Sequence, residues 1–207
     1  MRVAFAALVC GLTLGGSVAV SSGPSDNLAK ASAILREVTS QRVRAYSTRD
    51  FGRDKYDGAR SVFVNEDDAD RLLARVRSEL GTGLVAFIGT ERSHAEPKPV
   101  GVELVVGPGE TQFDILRIAA SDAVNFDMET EDLIKVLKVW DEAYGIDILR
   151  AQTDTIAFHL KSMPIDMKKF AAEVYDFCPD IVDQGTGSVE ELQEEITKTR
   201  TVLLWWD

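Results

Sequence analysis

The run Thr201-Val202-Leu203-Leu204-Trp205-Trp206-Asp207 constrains the fold more than any other stretch of this chain. Its β-branched and aromatic residues suit a half-buried strand rather than a frayed tail. Successive side chains leave a strand on opposite sides, so Trp205 and Trp206 must face different surroundings. One belongs to the core; the other is expected over a helix or along a groove. Such a strand needs partners, and the upstream sequence supplies them. Leu84 to Gly89 is a continuous apolar run, the pattern of a strand buried on both faces. Ser61 to Val64, Val102 to Val106 and Phe113 to Ala119 read as further strands, with Gly107-Pro108-Gly109 as a turn. Ile146 to Ala151 and Thr155 to Leu160 read as a hairpin joined through Thr153-Asp154.

Helical patterns alternate with these strands. Ser25 can cap a helix reaching about Arg44, with Leu28, Ala31, Ile34, Leu35 and Val38 on one face. Asn65 caps a second, whose first turn Glu66-Asp67-Asp68 complements the helix dipole and which Gly81 stops. Thr130 caps a third that ends at Gly145. Ile165 to Phe177 forms a fourth, and Ser188 with Glu191 opens the last as a capping box. Ala45 to Arg60 is polar and glycine-containing and reads as a loop, as does the two-proline stretch Arg92 to Val100. This order implies an α+β fold, a mixed sheet of about five to seven strands with helices packed on it. Residues 20–60 read as an N-terminal helix and linker, and 61–207 as the α+β domain.

Residues 1–19 have the form of a secretory signal: Arg2, an apolar run from Val3 to Gly16, then Ser17-Val18-Ala19 as a cleavage site. The run is too short for a membrane span, which needs about 20 apolar residues. The expected location is periplasmic or secreted, or cytoplasmic if the start is misassigned. The net charge is −11, and −12 once Arg2 leaves with the leader. A surface this acidic argues against nucleic acid or anionic lipid as a partner and fits capture of a basic protein. No membrane insertion is expected after leader removal.

Chemistry-bearing residues are few. Cys178 is the sole cysteine outside the leader. Paired with a base such as His159 it could serve a hydrolase. However, Cys178 falls at a helix C-terminus, next to Asp180, where the local charge raises a thiol pKa. His159 shares one strand face with Thr155 and Ala157, the less apolar face, and His94 lies in the proline-bounded loop. Asp180, Asp183 and Gln184 fall in one short loop and could make an acidic site, although their spacing matches no calcium loop. Gly185 and Gly187 allow that loop to turn, and Gln184 is placed to hydrogen-bond within it. Trp206 is a possible binding anchor. No phosphate loop, cofactor site or metal site is expected.

The strings Phe177-Cys178-Pro179-Asp180, Asp183-Gln184-Gly185-Thr186-Gly187 and Leu204-Trp205-Trp206-Asp207 resemble the bacterial family catalogued as domain of unknown function 4253. Phe113-Asp114-Ile115-Leu116-Arg117, Asn125-Phe126-Asp127, Trp140 and Tyr144-Gly145-Ile146 are similar too, so the resemblance spans about Leu84 to Asp207. It implies no activity. It implies a cytoplasmic location, from which the apparent leader departs. The favoured expectation is a non-enzymatic binding protein of inhibitor or immunity type. The alternatives are a hydrolase built on Cys178 and His159 or on the acidic loop, and an interaction domain dimerising through the final strand. The oligomeric state is left open.

Overall fold

The computed structural model describes residues 24–47, 55–90 and 100–207. The expected leader, Cys10 and His94 lie outside the described residues. The described elements run α1 (Pro24–Thr39), β1 (Arg44–Ser47), β2 (Lys55–Val64), α2 (Glu66–Glu79), β3 (Leu84–Ile88), β4 (Val102–Pro108), α3 (Asp114–Ala119), α4 (Thr130–Tyr144), β5 (Ile146–Ala151), β6 (Thr155–Leu160), α5 (Met167–Phe177), α6 (Val189–Thr199) and β7 (Thr201–Trp205). The strands form one seven-stranded sheet in the order β1-β2-β4-β3-β5-β6-β7. Every pairing is antiparallel except β3 with β5, so the sheet is mixed and the fold is α+β.

Two apolar clusters cover the two faces. On one face α1 and α2 pack Ala31, Leu35, Leu73 and Val76 against Val62, Ala86, Ile88, Leu104 and Val106. On the other, α3 to α6 pack Leu116, Leu137, Phe170 and Ile196 against Phe87, Val105, Ile148, Phe158 and Leu204. β3 and β4 lie mid-sheet under both layers, which is why their sequences are apolar at nearly every position. A run of edge-to-face aromatic pairs reinforces the second layer: Trp206 with Phe177, Phe177 with Trp140, and Trp140 with Phe170, each at 5.5 Å. Such pairs add about 0.5–1.5 kcal/mol each beyond their area. Among the described residues, no helix is long and apolar enough to cross a membrane.

Four local expectations are corrected. Phe113 to Ala119 is helical over Asp114–Ala119, not a strand. The Asp114 carboxylate accepts the N–H groups of Glu110 and Thr111, both at 2.9 Å, which turns the chain into a helix. The buried positions 115, 116, 118 and 119 then follow helical spacing. The expected loop from Ala45 to Arg60 instead supplies β1 and much of β2, and the first helix stops at Thr39. The third helix is capped by Glu129, one residue earlier than Thr130, through a reciprocal box with Asp132.

Candidate functional site

α5 ends at Phe177 and the chain turns through a π-helical segment, Ile181–Thr186. Gly187 closes that segment at φ +86°, a left-handed angle, and donates to the Val182 carbonyl. Gly185 shows no such angle. The turn carries Cys178 to the free edge of β7. There the Trp205 N–H donates to Cys178 Sγ at 3.2 Å, and the thiol donates back to the Trp205 carbonyl at 3.0 Å. A single side chain thus takes both main-chain groups that an edge strand leaves unpaired. At the other end of β7, Thr199 Oγ1 accepts from the Thr201 N–H.

Burial pushes the Cys178 thiol up to about 11, and nearby Asp180 adds to the rise. His159 is not its base. The imidazole Nδ1 lies 2.9 Å from Thr201 Oγ1, on the sheet face opposite the core that contains Cys178. Thr201 and Trp205 are four residues apart, about 13 Å along the strand. Cys178 and His159 are therefore not assembled as a pair.

Asp180 and Gln184 do come together. Asp180 Oδ1 accepts from Gln184 Nε2 at 3.2 Å, and its Oδ2 accepts the Asp207 N–H at 2.9 Å. Asp180 therefore fastens the last residue of the chain. Asp183 is held elsewhere, accepting from the Tyr175 hydroxyl at 3.2 Å. The tryptophans divide between faces. Trp206 is buried at 4% exposure and its Nε1 donates to the Phe177 carbonyl, whereas Trp205 is half-buried on the other face with Leu203.

Trp206 and Asp207 form one wall of a cleft of about 210 Å3. A second wall is Asp122 to Asn125, which includes the start of a 3-10 turn over Val124–Phe126. The third is the β5–β6 hairpin at Thr153 and Asp154. Main-chain bonds set this convergence: the Asp122 N–H donates to Thr153 O at 2.8 Å, and the Trp206 N–H to Asp154 O at 3.1 Å. Ser121 Oγ also reaches the Gln152 carbonyl. The cleft thus gathers three aspartates. It also holds Thr153, which is 5% exposed and whose Oγ1 is buried with no hydrogen-bond partner among the described residues. Val124 and Phe126 stand exposed beside the mouth.

Asp180 and Gln184 do not line this cleft and reach it only through Asp207. Asp122, Asn125, Thr153 and Asp154 are the residues the sequence reading missed as site candidates. The one available signal was Asn125 within the family-like string; Thr153-Asp154 reads locally as an ordinary hairpin turn. Among the described residues, no group of three or more His, Cys, Asp or Glu is arranged to hold a metal ion.

No curated protein matches the chain, and no solved structure matches it either. A family model does match, over residues 103–207. That span runs from the middle of the sheet to Asp207 and takes in the Cys178 clip and every wall of the cleft. Covering just over half of the chain, it shows that the protein belongs to the family described as domain of unknown function (DUF4253).

Proposed function

We propose that this protein is a non-enzymatic binding protein of inhibitor or immunity type, exported from the cell, that holds a basic protein against its acidic surface. The observation that carries the reading is the cleft itself. Asp122, Asp154 and Asp207 supply negative charge, while exposed Val124 and Phe126 offer apolar contact at its mouth. Apolar residues beside concentrated charge are what a protein interface requires, the charge steering the encounter and the apolar rim excluding water. The net charge of −11 acts in the same direction. Cys178 serves as a main-chain clip, which supports a structural rather than a nucleophilic role for it.

Immobilised protein, challenged with envelope extract at low salt, should retain a basic protein. The complex should re-form from purified components and dissociate in high salt, as screened electrostatics require. A protein that stays monomeric and retains no partner would overturn the reading. Mass spectrometry of the mature chain should place its N-terminus just after Ala19.

A further inference from the structure

We infer that the sheet has a built-in opening line between β3 and β5, and that Arg77 is the latch holding it shut on the α2 side. Every wall of the acidic cleft lies on the β5–β7 side of this line or is bonded to it, so the device is independent of the binding reading above.

The ladder itself marks the line. β3 pairs with β4 over five residues and β5 with β6 over five, whereas β3 and β5 share one register pair, Ile88 with Arg150. β5 is irregular between Ile148 and Arg150, and a bulge of this kind bends a strand out of regular pairing. Along β3 the odd-numbered residues face β4, since Gly83 O accepts from the Gly109 N–H and the Gly89 N–H donates to Glu103 O. Ala86 and Ile88 therefore face β5.

Main-chain groups inside a sheet must find partners. At this line side chains supply them. Arg77 donates to the Ala86 carbonyl of β3 through Nε at 3.0 Å and Nη2 at 2.9 Å. The same Nη2 reaches the Ile148 carbonyl of β5, and Nη1 binds Asp147 Oδ1 at 2.8 Å. Gln112 takes the Ile148 N–H at 3.0 Å and the Ile146 carbonyl at 3.2 Å, and Asp141 takes the Ile146 N–H at 2.8 Å. Gln112 and Asp141 thus serve β5, whereas Arg77 bonds both strands. It stands on α2, whose Leu73 and Val76 pack with Ala86 and Leu104 of the β3–β4 side.

Parting at this line is cheap on one side only. A cleft of about 260 Å3, lined by Arg77, Ala86, Gln112 and Asp147 among others, opens onto the seam, so water can take the main-chain groups as they separate. The second tie from α2, Arg150 to Asp70 at 3.0 Å, is weak because the Asp70 side chain is 72% exposed. On the opposite face, Leu116 and Ile118 of α3 share one core with Phe87 of β3 and Ile148 of β5. Opening therefore pivots on α3 and leaves that core packed.

The test is native-state hydrogen exchange of the full chain, read amide by amide by NMR. In the wild type the Ile88 amide, which faces β5, should exchange roughly tenfold or more faster than the Val85 and Phe87 amides, which face β4, and with little dependence on added urea, as local opening requires. Arg77→Met keeps the stem and removes the guanidinium. It should speed Ile88 about tenfold, as loss of hydrogen bonds to a charged group implies. The factor should equal the rise in its unfolding constant measured in urea, because the bonds removed are already broken in the open state. Arg77→Lys keeps the charge without the fork and should give about a threefold effect in the same sense. Ile88 as protected as Val85 and Phe87, with the same urea dependence, would overturn the opening line. Unchanged exchange at Ile88 in variants whose stability falls would overturn Arg77 as its latch. The wild-type arm needs no variant, and Arg77→Lys carries the second arm if Arg77→Met fails to fold.

Discussion

The thiol of Cys178 makes two polar contacts with Trp205, and this yields a prediction whose sign is diagnostic. Sγ accepts the Trp205 N–H and donates to the Trp205 carbonyl at the free edge of β7. Compare Cys178→Ser with Cys178→Ala. Both remove the sulfur, and they differ from each other only by a hydroxyl. If Cys178 were simply a small apolar residue in the core, alanine would be the more stable replacement, because an unpartnered buried hydroxyl costs about 1–3 kcal/mol. If it is a main-chain clip, serine wins. Its hydroxyl can renew both contacts after a shift of a few tenths of an ångström, whereas alanine leaves a donor and an acceptor unpaired.

Each buried group left unpaired costs about 1–3 kcal/mol. The position beside a strand edge lets water soften that cost, so the low end applies. Serine should therefore exceed alanine by about 1–2 kcal/mol. Urea unfolding of both variants would read this as a difference in midpoint at equal slope. Hydrogen exchange at the Trp205 amide should speed up in alanine and not in serine. Alanine as stable as serine, or more so, would refute the clip. Labelling of the native wild type adds an independent check. With the thiol raised to about 11, about one molecule in a thousand carries thiolate at pH 8, against roughly a quarter for an ordinary cysteine. Native labelling should then run more than about a hundredfold slower than labelling of the unfolded chain.

The same residue shows how far a sequence reading extends. A thiol at a helix C-terminus beside an aspartate is disfavoured as a nucleophile by local charge alone, so its chemistry was legible. Its bond to Trp205, twenty-seven residues on, was not, because only the π-helical turn brings it to β7. The α+β class followed from helical spacing and capping signals that are local. Asn65 accepts from the Asp67 N–H and Ser188 from the Glu191 N–H, as their positions imply. Phe113 to Ala119 misled because seven residues with only Asp114 and Arg117 polar are too few to separate a period of two from one of 3.6. What decided it was the Asp114 side chain capturing two preceding amides. β1 and the Lys55 to Arg60 part of β2 were hidden by polar residues and Gly58, whose strand conformation depends on ladder partners. The cleft was the least legible feature. Its three walls lie roughly thirty and fifty residues apart in sequence and meet only through the bonds from Asp122 to Thr153 and from Trp206 to Asp154. No local pattern encodes such a meeting.

Two further perturbations probe the sheet. Gly101 has φ +90°, and an added Cβ would strike the Val64 carbonyl. Gly101→Ala should cost more than about 2 kcal/mol, visible as a lowered Tm, whereas Gly81→Ala, with open space around it, should change stability by less than about 0.5 kcal/mol. The second concerns Glu103, which is fully buried. Its Oε1 accepts from Ser61 Oγ and from Arg44 at 2.7 Å, and its Oε2 has no partner among the described residues. Burial raises its pKa, and the bonds from Ser61 and Arg44 only partly offset that. A carboxyl whose folded-state pKa is raised stabilises the fold fully below its unfolded value of about 4.3, and that contribution is lost as pH climbs through the folded value. Glu103→Gln carries no such titration. The stability of the variant relative to the wild type should therefore rise between pH 4 and pH 8, even if poorer hydrogen bonding by the amide lowers it at every pH. The ion pair with Arg44 exists only while Glu103 is ionised, so its effect is already contained in the folded-state pKa and adds no separate pH dependence. Urea unfolding of both proteins at several pH values isolates the slope, because every other titrating group cancels. A flat or falling difference would show that the Arg44 and Ser61 contacts outweigh burial and keep Glu103 ionised across the range.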